Sequence, residues 1–155
     1  MELARNLKVE SVERLRPSAA ATLPANSTVA DAVSLMCLKK VGCVLVCQGG
    51  FLRGIFSERD LIRRVLAVNA PMSTPLEKVM TPKPVTVTLS DSISTAIHKM
   101  LDGGYRHLPV VDENQMALGT LSVKRIIHHL AEHFPTAVFN LPPGPARQPP
   151  RAEGA

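Results

Sequence analysis

One segment of this chain is written twice. Val29-Ala30-Asp31-Ala32-Val33-Ser34-Leu35-Met36 reappears 64 residues later as Ile93-Ser94-Thr95-Ala96-Ile97-His98-Lys99-Met100. Gly54-Ile55-Phe56-Ser57 reappears 65 residues later as Gly119-Thr120-Leu121-Ser122, with one extra residue in the turn around Asp112 to Gln115 absorbing the difference. Thr22 aligns with Thr86 and Ser27 with Asp91, so the chain reads as two similar halves, about 22–66 and 86–131. A unit of that size cannot bury its own apolar faces, and two units packed through their sheets share the work.

Each half follows one pattern. In the second, a short extended stretch, Thr86-Val87-Thr88, leads to the polar cap Ser90-Asp91-Ser92. A helix follows, with Ile93, Ala96, Ile97 and Met100 spaced by three and four, and Gly103-Gly104 ends it. Leu108-Pro109-Val110-Val111 reads as a strand, Asp112-Glu113-Asn114 as a turn, and Leu118 to Leu121 as a second strand. A last helix carries Ile126, Ile127 and Leu130. The predicted unit is β-α-β-β-α. Prolines break the stretch between the halves, and from about residue 142 the chain is proline-rich and expected to be disordered.

The segment Gly54-Ile55-Phe56-Ser57-Glu58-Arg59-Asp60 falls where a strand hands over to a helix. One reading is purely local: Ser57 caps the helix, Asp60 closes a capping box, and Glu58 complements the helix dipole. The other uses the same geometry for a ligand. Free N–H groups and a serine hydroxyl at a helix start can hold a phosphate, and a carboxylate one turn in can accept from both hydroxyls of a ribose. The two readings are compatible.

The duplicated unit, the Gly-Ile-Phe-Ser-Glu-Arg-Asp stretch, Val79-Met80-Thr81-Pro82, and Arg106-His107-Leu108-Pro109-Val110-Val111-Asp112 together resemble a tandem pair of CBS domains, a Bateman module, from about residue 8 to 132. The resemblance implies an α/β (α+β) fold of two pseudo-symmetric β-α-β-β-α repeats packed through their sheets. The expected division is a lead-in segment with repeat 1 (1–68), a proline-containing linker (69–84), repeat 2 (85–134) and a C-terminal extension (135–155).

It further implies a non-catalytic regulatory module that binds an adenosyl ligand: AMP, ADP or ATP, or NAD(H) or S-adenosylmethionine. Such a module acts on a partner in trans and is expected to be a homodimer. Carried over by position, Ser57 touches phosphate and Asp60 the ribose diol. Thr86 lies near the base, Tyr105 contacts or stacks on adenine, and Arg106, His107 and Arg59 reach phosphates. A structural and dimerisation module without ligand is the alternative.

The second copy departs from the motif. Gly119-Thr120-Leu121-Ser122-Val123-Lys124-Arg125 keeps glycine and serine but has Arg125 where Asp60 stands. A donor replaces the acceptor that a diol needs, and an unmatched polar contact costs about 1–3 kcal/mol. Val41-Gly42-Cys43, which face this cleft, offer no aromatic. One nucleotide site per chain is therefore expected. The degenerate second cleft is either empty or confined to a phosphate-rich ligand on Ser122, Lys124 and Arg125.

The net charge of +5 keeps an anionic partner in view, but the basic residues are scattered and aromatics make up only 3% of the chain, so no nucleic-acid partner is expected. No apolar run approaches the roughly 20 residues a bilayer span needs. The first residues lack a secretory pattern, and a cytoplasmic chain with three reduced cysteines (Cys37, Cys43, Cys47) in small apolar core roles is expected. His129-Leu130-Ala131-Glu132-His133 has the form of a zinc-peptidase motif but no third ligand downstream, so no metal site is expected.

Overall fold

The computed structural model describes residues 2–136. In chain order the elements are α1 (Glu2–Val9), a 3-10 turn (Val12–Leu15), β1 (Ser18–Ala19), β2 (Thr22–Leu23), α2 (Val29–Lys39), β3 (Cys43–Gln48) and β4 (Phe51–Ser57). Then come α3 (Glu58–Asp60), a π-helical turn (Leu61–Leu66), α4 (Leu76–Val79), β5 (Thr81–Pro82), α5 (Ile93–Gly103), β6 (His107–Val111), β7 (Ala117–Ser122) and α6 (Val123–His133). The proline-rich tail from about residue 142 lies outside the described residues.

The helices start and stop where the side chains dictate. Thr28 and Asp31 exchange capping hydrogen bonds at the head of α2, with Thr28 N–H to Asp31 Oδ2 at 2.9 Å and Asp31 N–H to Thr28 Oγ1 at 3.1 Å. Ser92 caps α5 by accepting from Thr95 N–H at 3.0 Å, and Gly104 closes that helix at φ 67°, a left-handed position that glycine takes without strain. Val29, Ala32 and Met36 on α2, and Ile93, Ala96 and Met100 on α5, form the buried stripes.

The described strands form two sheets, ordered β2-β3-β4-β5 and β1-β7-β6. In each repeat an antiparallel hairpin is the centre, with Leu45 opposite Ile55 in one and Leu108 opposite Leu121 in the other. The expected strand at 86–88 is reduced to a parallel bridge between Val87 and Val110. Residues of β3 alternate between two cores: Val44 and Val46 pack under the helices of repeat 1, whereas Cys43 and Leu45 join Ile55 in a seam that also takes in Ala117 of repeat 2. The sheets therefore meet across a narrow seam, and each repeat keeps its own larger core.

The outer strands are exchanged. β1 precedes repeat 1 yet pairs with β7 of repeat 2, Ala19 opposite Gly119; β5 precedes repeat 2 yet pairs with β4 of repeat 1, Gly54 opposite Pro82. The helical turns before them cross over too. Val12 and Leu15 are buried in the core of repeat 2, and Leu76 and Val79 in that of repeat 1. The stretch 69–84 is thus more than a linker, because α4 and β5 inside it complete the fold of repeat 1.

This exchange explains the glycine of each Gly-x-x-Ser motif. A Cβ on Gly54 would stand 2.9 Å from the Thr81 carbonyl oxygen and 2.5 Å from Met80 sulfur; one on Gly119 would stand 2.6 Å from the Ser18 carbonyl oxygen. Backbone cannot yield as a flexible side chain can. Gly119→Ala is expected to destabilise the fold by about 1–3 kcal/mol in urea denaturation. An unchanged midpoint would show that β1 is not held against β7 in solution.

Candidate nucleotide-binding cleft

The strand-to-helix handover at Ser57 builds the centre of the site. Its backbone N–H donates to Asp60 Oδ2 at 2.9 Å, and its hydroxyl donates to the same oxygen at 3.1 Å. Asp60 N–H returns a longer bond to Ser57 Oγ at 3.4 Å, which completes the capping box. The other carboxylate oxygen, Oδ1, accepts from the Thr81 hydroxyl at 3.1 Å and faces Arg64 Nε at 3.6 Å. Asp60 is only 6% exposed. Thr81 reaches it because the exchanged β5 lies along β4 with Thr81 opposite Ile55.

Ser57, Asp60 and Thr81 border a cavity of about 510 Å³. Ser57, Arg59 and Asp60 line it from repeat 1; Tyr105, Arg106 and His107 line it from repeat 2. Six of the seven carried-over positions are therefore brought to one cleft. The seventh, Thr86, is not among its lining residues. Its carbonyl accepts from Lys99 Nζ at 2.8 Å, and the cavity wall there is formed instead by Pro84 and Val85. Sequence reasoning assigned no role to Thr81, Lys83 or Arg63, all of which line the cleft. Thr81 stands in the Met-Thr-Pro stretch that carried the resemblance, so the signal for it was present; Lys83 and Arg63 had none beyond their charge.

One side-chain hydrogen bond at the cleft crosses between the repeats, and a second contact orders repeat 2 beside it. Arg59 Nη2 donates to the Gly104 carbonyl at 3.1 Å, which ties the first turn after β4 to the end of α5. Tyr105, 37% exposed, lays its ring against Gly103 so closely that a Cβ there would collide with it. The glycine pair thus ends a helix and also sets the position of an aromatic face at the cleft.

Gly42, Glu58, Arg106 and His107 border this cleft and also a second cavity of about 700 Å³. A Cβ on Gly42 would run into the Glu58 carboxylate and approach the His107 ring at 3.0 Å, so absence of a side chain lets both occupy the partition. Burial pushes the His107 pKa below its ordinary value, with Arg106 adding to that and Glu58 opposing it. Ser122, Lys124 and Arg125 line the second cavity, and Arg125 Nη2 lies 3.5 Å from Ser18 Oγ. That pair is the counterpart of Asp60 with Thr81.

The cysteines and histidines outside the cleft have plain surroundings. Cys43 is buried, and desolvation pushes its thiol pKa up to about 12; Cys47 is half-buried. Cys37 is exposed on α2, which corrects the expected core role for all three. His129 pairs with Glu10 at 3.0 Å and stacks on His133 at 4.3 Å between ring centroids, and no metal-binding cluster occurs among the described residues. No described helix is long and apolar enough to cross a membrane.

The CBS domain family model matches residues 12–67 and again 76–132. The chain belongs to the CBS domain family. Both matches begin at the crossed-over helical turns, so the CBS repeat as a sequence unit includes the strand it lends to its neighbour. The CBS domain-containing protein YhcV of Bacillus subtilis is 32% identical over 127 residues, 79% of this chain and 91% of that protein. The CBS domain-containing protein CBSCBSPB3 of Arabidopsis thaliana is 39% identical over 121 residues, 76% of this chain; the chain spans only 21% of that protein's length. Among solved structures, the CBS domain protein PAE2072 of Pyrobaculum aerophilum, complexed with AMP, superposes with a TM-score of 0.71 at 22% identity, covering 84% of this chain and 95% of that one.

The depressed His107 pKa has a stability consequence. Below about pH 6.5 the unfolded chain takes up a proton at this position that the folded chain resists, so stability falls as pH drops from that value through the lowered folded pKa. His107→Gln should flatten this part of the profile in chemical denaturation between pH 7.5 and 5.5. An identical slope in the variant would contradict the assignment.

Proposed function

We propose that this CBS pair is a regulatory module that binds one adenosine nucleotide per chain in the cleft at Asp60 and acts on a partner protein in trans. The observation that carries this reading is a buried carboxylate bordering a cavity whose other walls supply an aromatic face and several cations: Tyr105 with Arg59, Arg63, Lys83 and Arg106. A ribose diol, a base and a phosphate need those three kinds of wall. The AMP complex of the Pyrobaculum protein supports the ligand class for this fold.

The hydrogen bonds around Asp60 suggest how a ligand enters. Both carboxylate oxygens are occupied by donors of the protein itself. When a phosphate approaches Ser57, its hydroxyl turns to donate outward, which frees an acceptor position on Oδ2 for a ribose hydroxyl. The Thr81 hydroxyl can release Oδ1 in the same way. Arg59 leaves the Gly104 carbonyl for the phosphate, and this exchange loosens a tie between the repeats. A ligand gains control of shape only through such differential contacts.

The homodimer reading is supported by exposed apolar side chains at matching positions, Ile62 with Ile127, and by exposed Leu38 and Leu101 in the last turns of α2 and α5. AMP, ADP and ATP fit this account, with NAD(H) or S-adenosylmethionine as further adenosyl candidates. The reading is non-catalytic and cytoplasmic, with no nucleic-acid or membrane partner.

One observation favours the second reading, a scaffold without ligand: the same hydrogen bonds between Ser57 and Asp60 make a complete capping box. Calorimetric titration separates the two. AMP should bind near one per wild-type chain, and Asp60→Asn should weaken it about 10–100-fold, the worth of a lost charge-assisted bond or two. No heat and no melting shift with AMP, ATP, NADH or S-adenosylmethionine would leave the scaffold.

A further inference from the structure

One helical turn beyond Asp60 stands Arg64. An exposed ion pair at that spacing adds little to a fold. This pair differs on its acidic side, because the Asp60 side chain is only 9% exposed while that of Arg64 is 46% exposed. Arg64 Nε lies 3.6 Å from Asp60 Oδ1, and Arg64 Nη1 donates to the Met80 carbonyl at 2.6 Å. Met80 directly precedes Thr81, whose hydroxyl donates to the same Oδ1 at 3.1 Å. One guanidinium therefore fastens the carboxylate to the chain that leads into the exchanged strand. Its neighbour Arg63 lines the cavity at Asp60, and Arg64 does not.

The second repeat supplies a comparison within the same molecule. Arg125 and His129 stand 65 residues beyond Asp60 and Arg64. Where the carboxylate has become a cation, the arginine behind it is gone. His129 is buried instead and turns to Glu10 of the lead-in segment at 3.0 Å. An arginine at 129 would stand one turn from Arg125 and repel it. Both repeats build the same strand-to-helix handover, so the arginine at 64 goes with the acid at 60 and not with the fold. Ligand entry at Asp60 asks the Ser57 and Thr81 hydroxyls to turn away from the carboxylate. Arg64 is held by the Met80 carbonyl and stays, which keeps the charge of Asp60 compensated and its plane fixed while ribose hydroxyls replace the other donors.

We propose that Arg64 is a positioning residue for ribose recognition: it holds the Asp60 carboxylate in the orientation that accepts from a ribose diol and touches no ligand itself. The proposal rests on the nucleotide reading at Asp60 and adds to it a residue outside the cavity.

The test is calorimetric titration of AMP and 2′-deoxy-AMP into the wild type, Arg64→Gln and Arg64→Lys. The wild type should prefer AMP by about 10–100-fold, the worth of one hydrogen bond to a charged group. Arg64→Gln should weaken AMP about tenfold yet leave 2′-deoxy-AMP within about threefold of its wild-type affinity, so that the preference shrinks. Arg64→Lys keeps the charge and should restore most of the preference, even if it melts lower. Arg64→Met replaces Arg64→Gln if that variant does not fold. An arginine that only supported the fold would lower both affinities in equal proportion, so a wild-type preference retained in Arg64→Gln would overturn the proposal. So would an Arg64→Lys preference no greater than that of Arg64→Gln, or a wild type that binds both nucleotides equally. In those three cases the nucleotide reading still stands. Failure of the wild type to bind either nucleotide would overturn that reading, and the role of Arg64 with it.

Discussion

Two exchanged strands of two residues each hold this molecule together as a pair. Ser18–Ala19 and Thr81–Pro82 each leave their own repeat and pair along the last strand of the other. Both partner strands carry a glycine at the crossing, Gly119 and Gly54, because the incoming carbonyl occupies the space of a Cβ. Everything else at the interface follows from this. The helical turns that precede the exchanged strands bury Val12 and Leu15, or Leu76 and Val79, in the opposite core. Neither repeat has a complete sheet or a complete core alone, so the pair is the unit of stability. Thr81 reaches Asp60 only because its strand has crossed over.

Much of this was legible in the residues and some was not. The duplication, the caps at Ser57 and Ser92, and the glycine stop at Gly103-Gly104 are local chemistry, and each appears where its side chains require it. The exchanged strands were hidden because two residues carry no alternation to read and prolines around Pro75 and Pro82 look like punctuation. The glycines of the two Gly-x-x-Ser motifs were visible without their reason, which lies in a strand distant in sequence. At the cleft, the motif positions Ser57, Arg59, Asp60, Tyr105, Arg106 and His107 converge, since motif and fold repeat together. Thr86 sits one residue beyond the wall, with Val85 lining it instead. Which of two neighbouring residues faces a cavity depends on the path of an irregular segment, and the sequence does not encode that locally. Nor could it reveal that both carboxylate oxygens of Asp60 already accept from donors of the protein.

The pseudo-symmetry makes the differences between the clefts informative. Asp60 with Thr81 on one side corresponds to Arg125 with Ser18 on the other. One pair accepts and the other donates, with the same backbone frame behind both. Gly42, Glu58, Arg106 and His107 form a wall common to both cavities. An occupant on either side would border the same Arg106 and the same desolvated imidazole.

A nucleotide site built around Asp60, with a pseudo-symmetric counterpart that takes no nucleotide, should leave a one-sided mark on the molecule. Hydrogen exchange with and without AMP tests this in the intact wild-type chain. Added protection is expected across residues 57–63, 80–85 and 104–107, with none at 122–128 at the head of α6. Equal protection at both helix starts, or protection confined to the second, would contradict it.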